Sequence, residues 1–315
     1  MTASMTPVKP ETVGFSSERL ENLHALIQGE IDQKQLAGAV TILARHGKIV
    51  EYRTYGQREI ASSTPMTKDA IFRDYSMTKP VTGAAIMILY EEGKWLPADP
   101  ISKYVPEFAH LKVFKGVDAE GKPILVDPDH PPTMKELMTH SAGFSYGSGH
   151  TVVDAMYHDQ KVMQSANLQE MITKLATIPL NYQPGKGWTY SLSMDIEGYI
   201  VEKLSGQTLP DFMRDHIFVP LDMKDASFFV PTDKRSRFAT NYRDDPQGNF
   251  VPVQTAAGPP TDYAAQPTMP SGGGGLVSTV QDYLRFAQML LNHGELVHAH
   301  FQDVADVPKE LYDTR

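Results

Sequence analysis

Apolar residues recur at helical spacing near the start of the chain. Leu20, Leu23, Ile27 and Ile31 share one face of residues 16–33, behind Ser16 or Ser17 as cap. The next stretch, LAGAVTILARHGKIVEYRTYG at 36–56, is rich in β-branched and small residues. Arg45-His46-Gly47-Lys48 splits it, which predicts an antiparallel hairpin. From about residue 76 the period turns helical. A buried helix is expected over 77–93, ending at Gly93, and others over 133–140, 167–177 and 194–205. Pro/Gly clusters such as DPDHPP and QPGKG separate them, and Asp99-Pro100-Ile101-Ser102 reads as a turn. A last helix over 280–292, capped by Ser278 or Thr279, carries Tyr283, Phe286, Ala287, Leu290 and Leu291 on one face and stops at His293-Gly294. The tail beyond it shows no alternating run.

Candidate chemistry starts with IFRDYSMTKP at 71–80, where Ser76 and Lys79 form S-x-x-K. Residues i and i+3 of a helix share a face, so hydroxyl and amine can touch. Pro80 fits a first helical turn, which sets the helix start near Ser76. A hydroxyl there lies at the positive end of the helix dipole. Serine needs a base to become a nucleophile, and lysine serves only in its neutral form. Chance alone gives about one S-x-x-K in a chain of this length, so the motif needs company. Tyr190, in PGKGWTYSLSMDIEGY at 184–199, follows a Pro/Gly loop and precedes a helix. A phenol near Lys79 could relay a proton. Taken by itself it reads as a structural tyrosine.

Four blocks in order carry a family resemblance: SMTKP at 76–80, LMTHSAGF at 137–144, WTYSLSMDIEGYIVEKLSGQTL at 188–209 and SGGGGLVSTVQDYLRF at 271–286. Together they resemble family VIII carboxylesterases, within the serine β-lactamase (class C) and penicillin-binding-protein superfamily. The resemblance implies that Ser76 carries the acyl group, with Lys79 as general base and Tyr190 as partner base or acid. It also implies a fold of α/β plus α type, an antiparallel sheet flanked by helices with an all-helical lobe. Residues 1–60 and about 270–315 would form the α/β lobe of a single catalytic domain, and about 61–269 the mainly helical lobe.

Two departures stand out. Class C β-lactamases carry Y-x-N, whose Asn helps to hold the substrate amide. Here the triplet is Tyr190-Ser191-Leu192, and Leu192 makes no hydrogen bond. This favours simple esters over β-lactams. The superfamily's third motif, K-T-G, W-G-G or H-x-G on a late strand, is not found after residue 286. One oxyanion donor, the Ser76 backbone N–H, is thus assigned and the second is not. The expectation is a sheet incomplete at the C-terminus. Its open edge is a site for association with a second copy, and activity alone is expected to be weak or absent.

Other residues weigh less. Gly143-Phe144-Ser145-Tyr146-Gly147 matches G-x-S-x-G, but its context is a helix ending in a turn, not a strand-to-helix elbow. His293, His298 and His300 fit no zinc spacing. Gly272 to Gly275 lacks the Lys-Ser/Thr of a phosphate loop and reads as a turn at the rim of the site. Trp188, Leu192 and Tyr182 are candidate substrate-binding residues, Trp188 and Tyr182 as lining of an acyl pocket. A net charge of -9 argues against a nucleic-acid partner. The absence of Cys excludes disulfides and thiolate chemistry. No membrane span or signal peptide is seen, so a cytoplasmic protein is expected. No cofactor or metal is required. The activity expected is hydrolysis of short-chain carboxylic esters through an acyl-serine. The alternatives are β-lactamase or DD-peptidase-like chemistry at the same serine, or a non-enzymatic acyl-binding protein.

Overall fold

A computed structural model describes residues 6–253, 263–296 and 299–300. Helix α1 (Ser17–Asp32) starts where Ser16 accepts the Arg19 N–H at 3.2 Å. Of its expected stripe only Leu20 is buried, and Leu23 lies exposed. Strands β1 (Gly38–Arg45) and β2 (Lys48–Glu59) pair antiparallel from Gly38↔Gly56 to Arg45↔Lys48. The turn between them has His46 at φ 52° and Gly47 at φ 69°. Two consecutive left-handed residues match the twist of a tight hairpin. Strand β3 (Thr64–Pro65) adds to the far side of β2, which leaves β1 at the edge of the sheet among the described residues. Helix α1 packs on β2.

Strand β4 (Phe72–Arg73) leads into helix α2 (Thr78–Glu91), whose Val81, Ala85, Ile86 and Leu89 are fully buried. A short hairpin follows, β5 (Val113–Val117) with β6 (Pro123–Val126). The helical body continues with α3 (Met134–Met138), α4 (Val152–Asp159), α5 (Leu168–Leu175), α6 (Ser193–Ser205) and α7 (Leu209–Met213). Helices α2 and α6 pack against each other at the centre of one large apolar cluster. A second hairpin, β7 (Tyr242–Asp244) with β8 (Phe250–Pro252), precedes β9 (Val277–Ser278). Helix α8 (Val280–Leu291), capped by Thr279, lies against β1. A two-residue hairpin, β10 (Glu295–Leu296) with β11 (Ala299–His300), ends the described chain.

The α/β plus helical architecture agrees with the sequence expectation, with local differences. Helix α3 is shorter than 133–140, because His140 turns into the left-handed region at φ 58°. The β5–β6 and β7–β8 hairpins interrupt the stretch expected to be helical. The tail expected to hold no strand pairs Glu295 with His300 and Leu296 with Ala299.

Candidate active site

Three separate stretches of chain meet at Ser76. Pairing of β4 with β9 fixes the approach, with Phe72 opposite Ser278 and the Asp74 N–H on the Leu276 carbonyl at 2.9 Å. A tight turn over Tyr75–Met77 then leads into α2, so Ser76 sits at the mouth of the helix and Lys79 one turn further in. The Lys79 Nζ donates to Ser76 Oγ at 3.1 Å and to the Gly273 carbonyl at 2.6 Å. The Tyr190 hydroxyl donates to the same Ser76 Oγ at 2.9 Å. The ammonium also lies 4.6 Å from the centre of the Tyr190 ring, a cation–π distance. Burial raises the Tyr190 phenol, but its hydrogen bonds with Lys79 and Ser76 and the lysine's charge outweigh this. The net shift is below the ordinary tyrosine value.

The Gly-rich loop is tied down from behind. Asp195, fully buried on α6, accepts from the Ser271 hydroxyl at 2.5 Å and from the Gly273 N–H at 3.2 Å. Thr82 donates to the Gly272 carbonyl at 2.7 Å. Lys79 therefore hydrogen-bonds a carbonyl whose position depends on Asp195. A Cβ on Gly273 would fall 2.7 Å from both Asp195 Oδ2 and the Tyr146 hydroxyl, so any side chain there would have to displace them. Burial pushes the Asp195 carboxyl up, against the pull of Ser271, Gly273 and Lys79. Its neighbour Glu197, also buried, has no hydrogen-bond partner for either oxygen among the described residues. Burial and the Asp195 charge push Glu197 up to about 8.

His140 holds the Tyr190 loop. Its Nδ1 receives the Ser191 N–H at 3.2 Å and lies 3.0 Å from the Ser191 hydroxyl. Its ring centre is 5.1 Å from that of Tyr190. Burial, and then the Lys79 charge, push His140 down to about 4, so the ring is neutral near pH 7. A neutral ring keeps the acceptor that Ser191 needs.

The cleft over Ser76 has a volume of about 310 Å³. Ser76, Lys79 and Tyr190 line it, together with Tyr146, Met163, Phe228, Tyr263 and Met269. The expected binding residues stand elsewhere. Leu192 is 0% exposed within the core, because the chain turns inward there to start α6, so it does not reach the cleft. Trp188 is 66% exposed and packs edge-on to His140, outside the lining. Tyr182 donates to the His140 carbonyl at 3.2 Å and supports the turn rather than the cleft. The second oxyanion donor is not identified among the described residues. Ser145 is 3% exposed and donates to Asp154 at 2.5 Å, away from the cleft. His298 and the side chain of His300 lie outside the described residues, and no metal-holding group of acidic or imidazole side chains occurs among those described. No helix among them is long and apolar enough to cross a membrane.

A serine, a lysine one turn on and a tyrosine from a distant loop come together as the family resemblance implies for the β-lactamase and penicillin-binding superfamily. The chain belongs to the Beta-lactamase family, whose sequence profile matches residues 23–309. It is 36% identical to Protein Rv1367c of Mycobacterium tuberculosis over 280 residues, covering 87% of this chain and 67% of that one. It is 30% identical to Esterase EstB of Burkholderia gladioli over 301 residues, covering 89% and 73%. Among solved structures, EstCE1, a hydrolase with promiscuous acyltransferase activity, superposes with a TM-score of 0.75 at 26% identity, covering 89% of this chain and 74% of that one. Simvastatin Synthase (LovD) of Aspergillus terreus shares the fold, with a TM-score of 0.77 at 24% identity, covering 90% and 71%. The family match, EstB and EstCE1 support a serine hydrolase or acyltransferase within the family VIII esterase branch.

Proposed function

We propose that this protein hydrolyses carboxylic esters with short apolar acyl groups through an acyl-serine. The observation that carries the reading is a single hydroxyl contacted by both an amine and a phenol, in the lining of a largely apolar cleft. In the first step Ser76 Oγ forms a bond to the ester carbonyl carbon, and its proton passes to the Lys79–Tyr190 pair. The C–O bond to the alcohol breaks, and the pair returns that proton to the leaving oxygen. Water then attacks the acyl carbon and gives a proton to the same pair; the bond to Ser76 Oγ breaks, the pair returns that proton to Oγ, and the acid leaves. The Ser76 N–H, at a helix start, supports negative charge on the carbonyl oxygen. The preference for esters over β-lactams rests on the apolar cleft and not on Leu192.

The test compares p-nitrophenyl butyrate with a chromogenic cephalosporin, using Ser76→Ala as control. Butyrate turnover that vanishes in Ser76→Ala, with slower cephalosporin opening, supports the reading. Faster cephalosporin turnover overturns the ester preference. Covalent labelling of Ser76 without turnover of either substrate would favour an acyl-binding protein.

A further inference from the structure

We propose that Tyr75 is a ridge between two clefts and sets the longest substrate chain the site accepts. The inference deepens the ester-hydrolase reading and rests on it. A second cleft of about 240 Å³ also has Tyr75 in its lining. Leu36, Met66, Phe72, Gln57 and Phe250 contribute to its walls. Tyr75 lines both clefts, and among the described residues no other side chain does.

The backbone shows how firmly the ring is placed. Tyr75 has φ 44°, in the left-handed region that bulky residues rarely occupy. Such a conformation persists only when its surroundings impose it. On one side the Asp74 N–H is fixed to the Leu276 carbonyl, and on the other the nucleophile begins the helix. The ring is pinned at its tip, where Asn241 Nδ2 donates to the Tyr75 hydroxyl at 2.8 Å. Yet the side chain is 50% exposed, so it contributes little to the core. A strained, anchored and half-exposed aromatic next to the nucleophile is a wall, not packing. Replacing it with glycine suits the positive φ and joins the second cleft to the first.

The first arm of the test measures kcat/KM for p-nitrophenyl esters from butanoate to dodecanoate. Each methylene moved fully out of water is worth about four-fold in binding. Three or four partly buried ones should therefore raise the decanoate-to-butanoate ratio about ten-fold in Tyr75→Gly. Asn241→Ala, which frees the ring tip, should raise it by a smaller factor. An unchanged ratio in a folded, active Tyr75→Gly overturns the ridge and leaves the ester reading standing. The second arm needs no turnover. Ethyl octanoate and ethyl butanoate are titrated by calorimetry into Ser76→Ala and into Ser76→Ala/Tyr75→Gly. Octanoate is expected to bind about five-fold tighter once glycine is present, with butanoate changed less than two-fold. Equal octanoate binding in both proteins overturns the proposal. A parent chain that turns over no ester while octanoate tightens sinks the hydrolase reading alone.

Discussion

Replacement of Asp195 by alanine tests whether the Gly-rich loop sets the position of Lys79. The carboxylate accepts from Ser271 and Gly273, and the Gly273 carbonyl in turn accepts from Lys79. Alanine orphans the buried Gly273 N–H and the half-buried Ser271 hydroxyl, each costing up to about 1–3 kcal/mol. Loss of the unpartnered Asp195 Oδ2 returns part of that. A net loss of about 1–4 kcal/mol of stability is therefore expected. The catalytic effect should be larger than the stability loss implies, because displacement of a reacting group by about 1 Å costs on the order of 100-fold. Asp195→Asn keeps an acceptor for both bonds and should stay within about ten-fold of the parent kcat. Ester hydrolysis and thermal melting measured on the same preparations separate the two effects. Asp195→Ala combined with Ser271→Ala should be less than additive, since both remove one contact. A kcat for Asp195→Ala within about two-fold of the parent would refute the link from α6 through the loop to Lys79.

Three further outcomes are expected. Ser145→Ala should keep ester turnover while lowering stability by about 1–3 kcal/mol, since it orphans the Gly147 N–H and one Asp154 bond; loss of activity in a folded variant would move the nucleophile to Ser145. Glu197 is raised to about 8 from an ordinary 4.5, so its stabilisation is present below about pH 4.5 and lost as pH rises through 8. Urea titrations should show the parent losing about 3 kcal/mol more than Glu197→Gln between pH 4.5 and 7; parallel curves would show that the carboxyl is not held neutral. His140 is depressed to about 4 from 6.5, so its contribution is present above pH 6.5 and lost as pH falls through 4. His140→Gln should flatten that acid limb of the stability curve, and an unchanged limb would reject the buried neutral ring.

Local chemistry was readable where it obeyed a local rule. Ser76, Lys79 and Pro80 lie within one helical turn, so spacing alone brings the hydroxyl and amine together. Tyr190 was reachable only through the resemblance, since nothing in its own neighbourhood says which distant residue it will meet. Asp195 is not marked by its neighbourhood: SMDIEGYIVEKLS mixes acids and a lysine with apolar residues, and only the folded packing buries Ser193 to Val201 together. His140 carried no signal either, because its role depends on a left-handed backbone turn that histidine only occasionally adopts. A motif position does not fix a side chain's direction, as Leu192 shows. The chain enters α6 there and points the leucine into the core. Met163, Phe228 and Met269 come from three separate segments, and no periodicity announces that they face one cleft.

The lysine's second acceptor lies 194 positions downstream of it and the phenol 114 positions beyond the serine. Ser76 and Lys79 form a local pair, but everything that distinguishes them from an ordinary alcohol and a solvated ammonium arrives through long-range closure. A nascent or partly unfolded chain would therefore carry the reactive pair in dormant form. Ester turnover should then report the cooperative closure of the whole molecule, vanishing in step with tertiary structure while the α2 turn itself persists.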